Sequence, residues 1–130
     1  MSDNSDLIKS AYSSFAQGDV PAVIGLLSER VEWDVTSVLP QAGSWRGRDG
    51  AGEFFEQLGS QWADLTLEIE QMVSEADEVV VIGRAAGRLR EHGDAAAGYH
   101  FVHVFTVAGG AVTRFREWAD PDEELREHIL

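Results

Sequence analysis

The stretch GYHFVHVFTVAGGAVTRFREWAD, residues 98–120, decides how this chain folds. In its first half Tyr99, Phe101, His103, Phe105 and Val107 share one side of an extended chain, and His100, Val102, Val104 and Thr106 share the other. A second apolar segment, AVTRFREWAD, follows directly after Ala108-Gly109-Gly110. Two strands joined across glycines form an antiparallel hairpin, not the start of a parallel crossover unit. His103 is the exception to the pattern, an ionisable imidazole among the largest apolar side chains of the segment.

The turn governs whether His103 meets an acid. A two-residue Gly109-Gly110 turn pairs odd with even positions and puts His103 and Glu117 on opposite faces. A three-residue loop with Gly110 as a left-handed bulge pairs odd with odd and points both inward. His100 and His103 are three apart in a strand, project to opposite faces and cannot chelate one ion. With no cysteine in the chain, no metal site is expected.

Outward from the hairpin, LTLEIEQMV (65–73) alternates cleanly, with Leu65, Leu67, Ile69 and Val73 on one face, and EVVVIGRAAGRLR (78–90) is a longer strand. Upstream, VEWDV (31–35) reads as a strand, and SVLPQAGSWRGR (37–48) as a loop marked by Pro40, Gly43 and Gly47. Leu7, Ile8, Ala11, Tyr12 and Phe15 at helical spacing follow a Ser5-Asp6 cap and end at Gly18. Pro21 suits the first turn of a short second helix. Asp49 caps a third, with Phe54, Phe55, Leu58 and Trp62 along one stripe. The tail PDEELREHIL is a short polar helix or an irregular end.

The order α-α-β-α-β-β-β-β with hairpins gives an α+β fold in a single domain over 1–130. Three helices from the N-terminal half would pack on a curved antiparallel sheet and enclose a cone with an open mouth, a ready small-molecule cavity.

Composition narrows the function. The chain has 130 residues, is 44% hydrophobic and 25% charged, and bears a formal net charge of −13. That charge argues against nucleic acid or an anionic membrane as partner, because both require clustered Lys and Arg. The longest strongly apolar run, Val79 to Ile82, is too short to cross a bilayer, and MSDNSDLIKS lacks the features of a signal peptide. The expectation is a soluble cytoplasmic protein. There is no GxGxxG after a strand, no P-loop and no nucleophile elbow, so no nucleotide cofactor or covalent serine mechanism is suggested.

Three stretches resemble the SnoaL-like branch of the nuclear transport factor 2-like superfamily, which also holds ketosteroid isomerases. They are FAQGDVPAVIGLLSERVEWD (15–34), WRGRDGAGEFFEQL (45–58) and the closing hairpin VFTVAGGAVTRFREWAD (104–120). The resemblance spans roughly residues 6 to 121 in order and implies a conical α+β barrel, a homodimer through the outer sheet face, and no cofactor. Position by position, the isomerase carboxylate falls on Val35, with Asp34 one residue off, and the isomerase tyrosine falls on Ala11, beside Tyr12. In the epoxide-hydrolase-like Asp-Arg-Asp set, Arg84 and Glu117 match, but the other carboxylate falls on Ala86, which counts against that activity. SnoaL-like cyclases pair a strand histidine with an acid on the next strand, and His103 and Glu117 match in type and spacing.

The candidate catalytic residues are therefore Glu117 as base, with His103 and Arg84 stabilising negative charge. Tyr12, Phe15, Trp33, Trp45, Phe55, Trp62 and Phe101 are the candidate substrate wall, with Trp45 on a loop near the mouth. The reading that follows is a cofactor-independent lyase or isomerase of the cyclase, isomerase or dehydratase type, abstracting a proton from an apolar carbonyl-bearing substrate. The alternative is a non-catalytic ligand-binding or dimerisation domain in which the same polar trio is a structural network.

Overall fold

The computed structural model describes residues 3–36 and 41–129. In chain order the elements are α1 (Asp3–Ala16), α2 (Val20–Gly25), β1 (Leu27–Thr36), β2 (Gly43–Arg46), α3 (Gly47–Gln61), β3 (Trp62–Glu75), β4 (Glu78–Leu89), a 3₁₀ turn (Arg90–His92), β5 (Ala95–Ala108), β6 (Ala111–Pro121) and α4 (Glu123–Ile129). The class is α+β, as the alternation predicts. One six-stranded sheet runs in the order β2-β1-β6-β5-β4-β3 and is open at its β2 and β3 edges.

The helix punctuation follows the sequence. Gly18, at φ 77°, turns the chain after α1. The Asp19 carboxylate accepts from the Ala22 amide at 3.2 Å and caps α2, with Pro21 in its first turn. α3 departs from expectation: it starts at Gly47, after an Arg46 that provides no side-chain cap, so Asp49 sits inside the first turn. There its charge still suits the helix dipole.

Three features differ from the all-hairpin reading. Residues 43–46, expected within a loop, form β2 and pair antiparallel with β1; of that expected loop, 37–40 lie outside the described residues. β1 joins the sheet parallel to β6, with Trp33 opposite Phe115 and Val35 opposite Glu117. β3 does not alternate cleanly, because its register shifts between Ile69 and Gln71. Past that bulge Met72 is half-buried, and Val73, expected on the core side, is 46% exposed.

The inward rows of β4, β5 and β6 meet the apolar faces of α1 and α3 in one core, where Ile8, Val31, Val79, Val81 and Phe101 are almost fully buried. No helix among the described residues is long and apolar enough to cross a membrane.

Candidate active site

The β5–β6 hairpin combines parts of both predicted turns. Ala108 pairs with Ala111, so the loop is the tight Gly109-Gly110 turn, with φ 60° and 77° at its two glycines. That turn alone would send Glu117 outward. Instead the register shifts: Val107 pairs with Val112, but Thr106 pairs with Arg114, leaving Thr113 as an extra residue in β6. The Thr113 hydroxyl donates to the Thr106 carbonyl at 3.2 Å, pinning the bulge. From there odd pairs with odd, and His103 faces Glu117 across the two strands.

The pair closes inside the molecule. His103 Nε2 and Glu117 Oε2 are 2.5 Å apart, with 5% and 4% of the two residues exposed. From α1, the Tyr12 hydroxyl reaches His103 Nδ1, also at 2.5 Å. Burial, and then the negative charge of Glu117, push the Tyr12 hydroxyl well above its usual pKa, so it keeps its proton. Tyr99 is pushed up for the same two reasons in the same order.

These partners fit one tautomer. An ionised carboxylate only accepts, so Nε2 bears the proton it donates to Glu117, and Nδ1 accepts from Tyr12 O–H. Both ring nitrogens are engaged. In this arrangement His103 has no free N–H directed at the cavity, and its Nε2 is bound to Glu117. Phe101 stacks on its ring at 3.9 Å, and Phe115 meets it edge-on at 4.9 Å. Gly83 makes room for that stack, since a Cβ there would lie 2.7 Å from Phe101 Cζ.

A half-open cavity lies beside this network. Tyr12, Phe15, Trp33 and Phe55 line it as expected, together with His103 and Glu117. Phe54, Leu58, Leu65, Leu67, Tyr99 and Phe105 complete much of the wall. The interior leaves about 70 Å³ for the centres of water-sized molecules, several times the roughly 10–15 Å³ that one water needs. Two buried polar atoms on residues of this wall have no partner among the described residues: Glu117 Oε1, an acceptor, and Trp33 Nε1, a donor. Such groups cost free energy until something meets them.

Four predicted site residues do not join the wall. Arg84 is exposed on the outer sheet face, its Nη1 3.5 Å from His100 Nε2. On β4 the inward row is Val79, Val81, Gly83 and Ala85, so period 2 sends Arg84 outward and away from Glu117. The epoxide-hydrolase-like set therefore falls apart, since Ala86 is exposed as well. Trp45 packs against Phe54, Trp62 against Tyr99, and Phe101 under His103; each supports the wall from behind. Asp34 also points outward, bonded to Arg46 at 2.9 Å, while Val35 beside it is buried. Burial alone would raise Asp34, but hydrogen bonds from Arg46 and Ser44 and the charges of Arg46 and Arg114 outweigh it and hold the carboxyl below its usual range.

The least legible contact was Tyr12 to His103, because a helix meets a strand 91 residues away and neither periodicity encodes it. Tyr99 was legible: it shares the His103 side of β5 by simple alternation. Among the described residues, no group of three or more His, Asp or Glu side chains is placed to hold a metal ion.

The fold has structural counterparts. An NTF2-like protein of unknown function from Burkholderia pseudomallei superposes with a TM-score of 0.85 at 21% identity, covering 99% of this chain and 98% of that one. TerC, co-crystallised with polyporic acid, gives 0.82 at 22% identity, over 98% and 97% of the two chains. A candidate SnoaL-like polyketide cyclase from Jannaschia sp. CCS1 gives 0.79 at 19% identity, over 92% and 86%. At such identities the likeness is one of fold. No curated protein matches the sequence. The model of the SnoaL-like domain family matches residues 8–115, and the chain belongs to that family.

Proposed function

We propose that the chain is a cytoplasmic, cofactor-independent enzyme of the cyclase, isomerase or dehydratase type, abstracting a proton from an apolar, carbonyl-bearing substrate. The observation behind this reading is that two residues lining one aromatic cavity, Glu117 and Trp33, each carry a buried polar atom, Oε1 and Nε1, with no partner among the described residues. Trp33 pairs with Phe115, two residues before Glu117 on the same strand, so the two side chains are diagonal neighbours. A carbonyl compound supplies what each lacks. Glu117 Oε1 takes the proton from the carbon next to the carbonyl, the C–H electron pair becomes the carbon–carbon double bond of the enolate, and the carbonyl π pair moves onto the oxygen. The Trp33 N–H then donates to that oxygen, and return of the proton to another atom completes an isomerisation. His103 and Tyr12 hold Glu117 in place; with Arg84 outside, only neutral donors meet the enolate.

The register adds support. The position that the isomerase resemblance assigns to the base, Val35, is the direct neighbour of Glu117, so a carboxylate reaches the same region from the adjoining strand. The candidate cyclase and TerC share the fold and are consistent with a small organic substrate.

The test is solvent exchange: a panel of cyclic ketones in D₂O, followed by proton NMR for loss of the signal next to the carbonyl. The wild type should accelerate exchange, and Glu117→Gln should slow it by roughly 10²–10⁴-fold, the range of a general base. If the wild type accelerates no member of the panel, the cavity only binds.

We also propose a homodimer through the outer sheet face. There Ile82, Val102 and Trp118 form one cross-strand row, and Val73, Ile82 and Trp118 are large apolar residues left 37–46% exposed.

A further inference from the structure

The charge balance of the cavity points to a ligand class that the proton-transfer reading does not name. Eight of the fifteen lining residues are Phe, Tyr or Trp, and none is Lys or Arg. Among the described residues of the wall, Glu117 is the sole acidic side chain. It is 4% exposed, and one of its two oxygens has no donor. A buried carboxylate oxygen without a donor is far costlier than an unmet neutral group, and a cation would relieve it most fully. Aromatic rings flank it in sequence and register: Phe115 lies two residues away on the same strand, and Trp33, paired with Phe115 across β1 and β6, stacks on it at 4.0 Å. Aromatic walls around one carboxylate attract a methylated ammonium group, whose methyls pack on rings while its charge is shared with their faces. The net charge of −13 also raises the local concentration of cations and lowers that of anions.

We propose that this cavity binds a small protonated tertiary amine, its N–H donating to Glu117 Oε1 and its N-methyl groups lying against the Trp33 and Phe115 side of the wall. The ammonium ion occupies the oxygen that would otherwise act as base, so it competes with the carbonyl substrate. The proposal shares Glu117 with the proton-transfer reading but needs no reaction to occur.

Three small molecules of nearly the same shape test it, titrated into the wild type by NMR. These are 2-(dimethylamino)ethanol, which is protonated at neutral pH, its uncharged isostere 3-methylbutan-1-ol, and the anionic relative 3-methylbutanoate. The ammonium ion should bind about tenfold or more tighter than the alcohol, given the strength of a desolvated cation–aromatic contact and a charge-assisted hydrogen bond, and the carboxylate should bind weakest. In Glu117→Gln the preference for the cation over the alcohol should fall to near unity. Should that variant not fold, the order of the three ligands on the wild type decides alone. Equal or tighter binding of the alcohol or the carboxylate, or no binding of any, overturns the proposal. Such a failure leaves the exchange experiment untouched, since that is read on neutral ketones. Failure of exchange, in turn, leaves the amine titration to stand on its own.

Discussion

At the scale of single residues, the chain offers a built-in reporter. Its two tyrosines, Tyr12 and Tyr99, both line the cavity, and burial and Glu117 push both hydroxyls well above their usual value of about 10. Folding favours their neutral forms, so their contribution to stability is complete below about pH 10 and is lost as pH rises toward the folded-state values. Phenolate absorbance should therefore stay absent past pH 10 and appear together with alkaline unfolding. Glu117→Gln, which removes the negative charge, should let phenolate form at lower pH. A tyrosine that titrates normally in the folded protein contradicts this account. The His103–Glu117 pairing was legible in alternation plus one decision about register. The place of Arg84 was open to the same reasoning: its neighbours Val81, Gly83 and Ala85 mark the inward row, and parity alone puts it outside.

At the scale of elements, two bulges did what periodicity cannot show. The extra residue at Thr113 turns Glu117 inward, and the shift after Ile69 exposes Val73. No propensity marks Thr113 as a bulge, because its role follows from the Thr106 carbonyl on the opposite strand. Thr113→Ala should cost about 1 kcal/mol, the value of one partly buried hydrogen bond, in urea unfolding. Gly83→Ala should cost more. A Cβ there would stand 2.3 Å from the Glu68 carbonyl oxygen and 2.7 Å from Phe101, so β3 or the ring beneath His103 must move, at about 1–3 kcal/mol. Measured stability equal to wild type in the Gly83 variant would mean that Phe101 is not held as described.

At the scale of the whole molecule, hydrophobic pattern and glycine turns suffice for the α+β class and for the order of most elements. The parallel β1–β6 neighbours were not legible, since residues 37 to 110 separate them and local pattern says nothing about which distant strands adjoin. Yet that adjacency brings Trp33 beside Phe115 and Val35 beside Glu117. The outer face has its own test. Arg116 lies over the Trp118 ring at 5.6 Å, at the margin of the apolar row. Wild-type protein should sediment as a dimer, and Ile82→Glu, which sets a charge in the middle of that row, should give folded monomers. Monomeric wild type at micromolar concentration contradicts the dimer.

At the centre stands the proposal that His103 holds Glu117 through Nε2 and leaves one carboxylate oxygen for the substrate, and nitrogen NMR of the His103 ring tests it directly. The account predicts a protonated Nε2 sharing a strongly deshielded proton with Glu117, and an unprotonated Nδ1 that accepts from Tyr12. Two protonated ring nitrogens, or a proton on Nδ1 alone, would contradict it.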